Sequence, residues 1–231
     1  METKTNMYKL SVTQWNPYTG CRFNCSYCKS SFQRQIKRWA KENCDKCYSF
    51  IPHEHPERLT QSLPNTGFMQ FIFTCSSGDI AFCNTASLGK IIDRIRTEPN
   101  KIFLLQSKWP LTFRRFTFPK NVILGTTLET NRDDLYKGIS KAPKPSLRYT
   151  TFLDVKHSLK MVTIEPVIDF DKNVMLDWVT SINPCMVWLG YDSQQNHLPE
   201  PNLEKVKNLY WELGLRGFAV ILKIIRNAWW E

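Results

Sequence analysis

The chain has 231 residues, with 31 Lys+Arg against 21 Asp+Glu, a formal charge of +10, and 42% apolar and 13% aromatic residues. That composition supplies a core and excludes a disordered chain, and no apolar run approaches the roughly 20 residues that span a bilayer. The basic excess is spread over residues 29–46, 90–120 and 132–160; it favours nucleic acid or another polyanion, set against a soluble basic protein whose charge is incidental.

In chain order, residues 10–14 read as a first strand, followed by a cysteine-rich loop and a helix over 26–41. Residues 68–74 have the continuous apolar pattern of a buried strand. Residues 85–96 read as a helix with Leu88, Ile91, Ile92 and Ile95 on one face. Strands are expected at 102–106 and 122–127, then a short helix at 133–139. Lys144-Pro145 punctuates a loop before a helix over 146–158. Strands at 161–164, 186–189 and 218–222 complete the series, with a helix over 202–213 closed by Gly214. About seven βα units with apolar strands imply a parallel sheet covered by helices. Right-handed crossovers leave a full or partial barrel or an open doubly wound sheet, and either puts the active face where the strands end. Several strand ends are polar there: Ser76-Ser77-Gly78-Asp79, Ser107-Lys108, Thr127-Leu128-Glu129, Glu165 and Asp192-Ser193. Ordinary loop polarity explains any one of them; their convergence from different strands would form a pocket.

Eight cysteines dominate the remaining chemistry, five of them within the first 50 residues. With no secretory signal visible at residues 1–10, they read as reduced cytoplasmic thiols available for metal or redox work. Cys21, Cys25 and Cys28 follow the first strand at x3 and x2 spacing. Three thiolates in one loop can hold three corners of a 4Fe–4S cluster and leave the fourth iron open. The rival is a zinc ribbon of Cys25, Cys28, Cys44 and Cys47, whose two Cys-x2-Cys pairs lie 15 residues apart. That would be a zinc-binding nucleic-acid module without catalysis. Alternatively Cys44 and Cys47 bind a second metal with His53 or His55, form a redox pair, or are a local coincidence.

The Cys21-x3-Cys25-x2-Cys28 loop, with Tyr27 before its last cysteine, resembles the radical S-adenosylmethionine (SAM) superfamily. Trp15-Asn16-Pro17-Tyr18-Thr19-Gly20-Cys21 is similar to the entry of its little-characterised phage-like "three-Cys-motif" clade. His55-Pro56-Glu57-Arg58-Leu59, the strand at 73–82, Leu105–Pro110, the strand at 124–129, Ile164-Glu165-Pro166 and the strand at 187–193 resemble further landmarks of that clade, in order. The likeness covers roughly residues 14–225 and extends distantly to spore photoproduct lyase. Trp109, Tyr191 and Asp192 depart from the pattern, and the Cys44/Cys47 pair has no counterpart in it.

The resemblance implies a partial (β/α)6-type TIM barrel in one domain, residues 1–231. Residues 11–50 would be the cluster-binding loop and helix, 51–66 a linker, and 67–231 the remaining units. It implies a 4Fe–4S cluster on Cys21, Cys25 and Cys28, whose open iron binds SAM, and reductive cleavage to a 5′-deoxyadenosyl radical. Tyr27 would pack near the adenine, and Ser76, Ser77 and Gly78 would meet the SAM amino group. Asp79 would be a ligand or a cap. Lys108 would neutralise a carboxylate or phosphate, and Thr127, Glu129 and Glu165 would meet ribose hydroxyls. Lys223 is a weaker candidate. Cys75, Cys83, Cys185 and Tyr191 are candidate radical donors, more readily read as core packing. A flavodoxin- or ferredoxin-like reductant, a nucleic acid or nucleotide substrate, and a partner protein are the expected partners. Arg114, Arg115 and Lys120, beside Trp109 and Phe116, are the candidate phosphate and base contacts.

Overall fold

The computed structural model describes residues 7–194 and 196–231. Seven strands form one sheet, all parallel: β1 (Ser11–Trp15), β4 (Phe71–Thr74), β5 (Phe103–Gln106), β6 (Val122–Thr127), β7 (Lys160–Ile164), β8 (Met186–Leu189) and β9 (Val220–Leu222). They neighbour one another in chain order. An unbroken order of parallel strands curls the sheet into a partial barrel in a single domain, where an order that reverses would leave it open. Two short strands, β2 (Tyr18–Thr19) and β3 (His53–Glu54), make a separate antiparallel ribbon beside the exit of β1.

The strand sequences fix the two faces, because side chains alternate across a strand. Ile72, Phe103, Leu105, Val122, Leu124, Val162, Ile164, Val187 and Leu189 share the outer core with helices. Those helices are α4 (Thr85–Arg96), α5 (Pro145–Leu153), α6 (Lys172–Ile182) and α7 (Leu203–Leu215). The alternate residues Phe71, Phe73, Leu104, Ile123, Met161, Met186 and Trp188 fill the inside of the curl around Tyr8. Tyr8 is fully buried and contacts Phe71, Phe73 and Trp188 ring to ring. Each such aliphatic or aromatic burial contributes about 1.5–3 kcal/mol.

Caps follow the sequence. Asn84 accepts from Ser87 N at 2.9 Å to start α4, and Asn202 accepts from Lys205 N at 2.8 Å to start α7. Gly214 does not close α7 as expected. The helix runs to Leu215, and Gly217, at φ +86°, takes the left-handed turn. The expected helix at 133–139 is a chain of turns instead. Its backbone reaches sideways to the cysteine loop: Ser26 N donates to Ile139 O at 2.9 Å, and Lys141 N to Phe23 O at 2.7 Å. Helix α6 has no counterpart among the elements expected from the sequence. The expected helix at 26–41 is present as α1 (Ser26–Cys28), a π-helical stretch at Lys29–Gln33 and α2 (Arg34–Ala40), followed by α3 (Asp45–Tyr48). The 51–66 segment carries β3 and the 3-10 turn Pro56–Thr60. Among the described residues no helix is long and apolar enough to cross a membrane.

Candidate functional site

The polar strand ends converge at one mouth. The alternation that points Leu104 and Ile123 inward also carries Gln106, Thr127, Thr163 and Glu165 inward, nearer the C-terminal ends. Tyr8 Oη donates to Gln106 Oε1 at 2.6 Å and meets Thr163 Oγ1 at 3.0 Å; Gln106 Nε2 donates to Thr127 Oγ1 at 2.9 Å. The interior thus passes from an apolar floor to a hydrogen-bonded layer below the mouth. Glu165 is ion-paired with Lys223, whose ammonium lies over the Tyr8 ring at 5.2 Å. Burial pushes the Glu165 carboxyl up, and Lys223 opposes that shift.

At the centre of the mouth Glu129 is wholly buried and accepts from four donors. Tyr27 Oη lies at 2.7 Å, Lys108 Nζ at 2.7 Å, Tyr136 Oη at 3.2 Å and Arg148 Nη2 at 2.6 Å. Burial favours the neutral acid, but Arg148 and then Lys108 hold the carboxyl below its ordinary value. Lys108 lies over the Tyr27 ring at 4.5 Å and 3.6 Å from Cys25 Sγ. Burial disfavours its ammonium, but Cys25 and Glu129 hold its pKa above the ordinary value. Glu129 therefore anchors Tyr27 and Lys108 beside the cysteine loop, and a ribose hydroxyl reaching it must displace one of these donors. Thr127 is likewise engaged, its carbonyl receiving Arg148 Nη1 at 2.5 Å. The buried Arg148 and the Tyr136 that complete this network carried no sequence signal, because one lies in a helix and the other in an irregular loop.

Asp79 acts as a clasp. It accepts from Ala81 N at 2.9 Å, Ser107 Oγ at 2.6 Å and Lys108 N at 2.9 Å, joining the exits of β4 and β5. Burial pushes its carboxyl up, against those hydrogen bonds. Ser76 donates to Gln14 and Asn16 at 3.0 and 3.1 Å, and Ser77 N to Asn16 Oδ1 at 2.8 Å. Gly20 N donates to Ser77 O at 2.9 Å, and Asp79 N to Gly20 O at 3.2 Å. The turn after β4 thus grips the start of the cysteine loop. A Cβ on Gly78 would stand 2.5 Å from Gly20 O, so the two chains need this glycine to approach.

Cys21, Cys25 and Cys28 are free thiols within a small apolar cluster around Phe23, Tyr136, Ile139 and Ile168. Cys25 Sγ meets Ser140 Oγ at 3.1 Å, Phe23 N donates to Cys21 Sγ at 3.4 Å, and Gln33 Nε2 to Cys28 Sγ at 3.8 Å. Burial raises the Cys21 thiol well above its ordinary value and pushes Cys28 up to about 11. Soft sulfur donors, each with an N–H or hydroxyl partner, suit iron–sulfur ligation once deprotonated. Three thiols from one loop can hold three corners of such a cluster and leave the fourth iron open. By contrast, Cys44, Cys47, His53 and His55 bring their ligand atoms within 4.8 Å of one another. Of the four cysteines of the zinc alternative, Cys44 and Cys47 turn to the histidines, while Cys25 faces Lys108 and Ser140.

The other candidates lie away from the mouth or are engaged. Cys75 and Cys83 are buried in the outer core, Cys185 donates to Lys160 O at 3.1 Å, and Tyr191 donates to Pro201 O at 3.0 Å. Asp192 accepts from Asn196 N at 2.6 Å and caps its own loop. Arg114 pairs with Asp154 at 2.6 Å, and Arg115 donates to Cys83 O at 2.8 Å.

No family model matches the chain, and no curated protein matches it. Among solved structures, Streptococcus suis SuiB bound to S-adenosylmethionine superposes with a TM-score of 0.56 at 11% identity, over 93% of this chain and 50% of SuiB. SuiB bound to precursor peptide SuiA gives 0.56 at 10%, over 93% and 48%. The chain spans about half the length of SuiB. What the two share is the fold: the partial barrel expected from the radical SAM resemblance is the architecture of this chain, built here of seven parallel strands.

Proposed function

We propose that the chain is a radical SAM enzyme in which Cys21, Cys25 and Cys28 ligate three irons of a 4Fe–4S cluster. The observation that carries the reading is a loop of three free thiols held over the C-terminal edge of a partial barrel, a fold shared with SuiB, which has been solved with SAM bound. When bound, the cluster would supply the electron that cleaves SAM to a 5′-deoxyadenosyl radical.

The chain's own residues would position and shield. Tyr27, fixed by Glu129, would offer its ring to the adenine. Lys108, charged and beside Cys25, would neutralise the SAM carboxylate. Backbone groups of Ser76, Ser77 and Gly78 would meet the SAM amino group, and Thr127 and Glu165 the ribose. Tyr8 and Trp188 close the floor of the barrel and would keep water from a reactive species. Asp79 and Glu129 would act as positioning residues that hold Lys108 at backbone and side chain.

Nucleic acid or a nucleotide is the substrate class favoured by the charge. Arg34, Lys37, Arg38, Lys41 and Lys46 are exposed on the segment directly after the cysteine loop. A peptide, the class of ligand with which SuiB was solved, is the competing outcome. A flavodoxin- or ferredoxin-like donor would deliver the electron, and a partner protein could complete the site. The test is anaerobic incubation of iron–sulfide-reconstituted protein with SAM and dithionite. Formation of 5′-deoxyadenosine that is lost in the Cys21→Ala/Cys25→Ala/Cys28→Ala variant supports the reading; equal formation by both proteins, or none by either, overturns it.

A further inference from the structure

The geometry points to a second metal centre: a structural zinc site in which Cys44, Cys47, His53 and His55 are the four ligands. The sequence arranges them as Cys44-x2-Cys47-x5-His53-x-His55. Cys44 is the N-cap of α3 and Cys47 lies in it, while the two histidines flank Glu54 on and just after β3. Cys44 Sγ lies 3.3 Å from His53 Nε2, Cys47 Sγ 3.5 Å from His53 Nε2, and Cys47 Sγ 3.2 Å from His55 Nε2. A tetrahedron with Zn–S near 2.3 Å and Zn–N near 2.0–2.1 Å has an S···N edge of about 3.5 Å. The observed separations are close to the edges of such a tetrahedron.

Both imidazoles are turned for ligation. His53 Nδ1 lies 2.7 Å from Ile51 O, which can only accept, so Nδ1 carries the proton and Nε2 presents its lone pair to the sulfurs. His55 Nδ1 lies 3.0 Å from Glu57 Oε1, which fixes the same tautomer. Carbonyl and carboxylate partners of this kind orient histidine ligands and raise their basicity. Thr19 Oγ1 meets Cys47 Sγ at 3.5 Å, and Cys47 N donates to Cys44 Sγ at 3.4 Å. Two thiolates and two neutral imidazoles around Zn²⁺ sum to zero charge. Binding releases two thiol protons and oxidises nothing. Four protein ligands leave no open position, so the role is structural.

The site lies against the cluster loop. Cys47 and His53 both touch Thr19, two residues before Cys21, and Cys21 N donates to Phe50 O at 3.4 Å. Zinc would pin the 44–55 loop to the β2–β3 ribbon from which the cysteine loop departs. This inference does not depend on the radical SAM reading, because zinc is measured separately from iron and sulfide.

The test is metal analysis of the full chain purified without added iron, together with the visible spectrum of Co²⁺-substituted protein. About one zinc per chain is expected, together with the intense d–d bands of a tetrahedral site and thiolate-to-cobalt charge transfer. Both should persist in the Cys21/Cys25/Cys28 triple alanine variant, and Cys47→Ala and His53→Ala should lose at least tenfold in zinc content. The Co²⁺ spectrum of the unmutated chain keeps the test open if those variants fold poorly. Absence of zinc, a weak octahedral cobalt spectrum, unchanged zinc in Cys47→Ala and His53→Ala, or a Cys44–Cys47 disulfide in the anaerobic protein would overturn it.

Discussion

Glu129 shows how one buried carboxylate sets the site. Its side chain and that of Arg148 are fully buried, and Lys108 is nearly so. Removing the negative charge strands two cations in the interior, which costs about 3–5 kcal/mol for a buried pair broken on one side. Glu129→Gln is therefore expected to lower unfolding free energy by about that amount in urea titration; a change within a few tenths would contradict the network. The pH dependence has a definite sign. The folded carboxyl lies below its ordinary value of 4.5, so the unfolded chain binds the proton first as the solution is acidified. The contribution is complete above the unfolded value and is lost as pH falls through the lower folded value. The Gln variant should lack that part of the acid-induced loss of stability, and an acid profile parallel to that of the parent protein would refute the assignment.

Between β1 and the cysteine loop, Gly20 fixes the geometry. Gly20 has φ +90°, and a Cβ there would stand 2.3 Å from Ile51 O. Gly20→Ala combines backbone strain of about 1–3 kcal/mol with a clash against main chain that cannot rotate away. It should lower the midpoint of thermal unfolding and reduce iron loading in parallel. Retention of both would show that the ribbon does not position the loop. The seven strands were legible in the sequence because buried parallel strands are short apolar runs separated by helices of 3.6 periodicity, whereas that pattern left their order open between a barrel and a doubly wound sheet. The turns at 133–139 were misread as a helix. Tyr136 and Ile139 have helical spacing, but the segment closes i→i+3 turns, and at its end Ile139 O and Lys141 N pair with Ser26 and Phe23, a long-range pairing that local pattern does not encode. The Cys21/Cys25/Cys28 loop stands out in the sequence by its spacing, whereas the Cys44/Cys47/His53/His55 group needed the β2–β3 ribbon to bring its members together. The roles of Asp79 and Glu129 as clasps also depended on which donors the fold supplied.

For the molecule as a whole, the charge of +10 is the main guide to a partner. Exposed Arg34, Lys37, Arg38, Lys41 and Lys46 lie on the segment that follows the cysteine loop, with Glu42 and Asp45 as acidic neighbours. If these bases meet phosphates, affinity for single-stranded DNA falls steeply with salt. Lys37→Gln/Arg38→Gln/Lys41→Gln should then reduce the slope of log K against log[salt] by about 2, at about 0.7 per phosphate contact. An unchanged slope in fluorescence anisotropy would leave the charge incidental and direct attention to peptide or small-molecule substrates.

The account rests most directly on the cluster, and iron and acid-labile sulfide analysis with a visible spectrum addresses it in one preparation. For anaerobically reconstituted protein it predicts about four irons and four sulfides per chain, both lost in the Cys21→Ala/Cys25→Ala/Cys28→Ala variant while the zinc on Cys44, Cys47, His53 and His55 remains. A reconstituted chain that holds zinc but neither iron nor sulfide would contradict it.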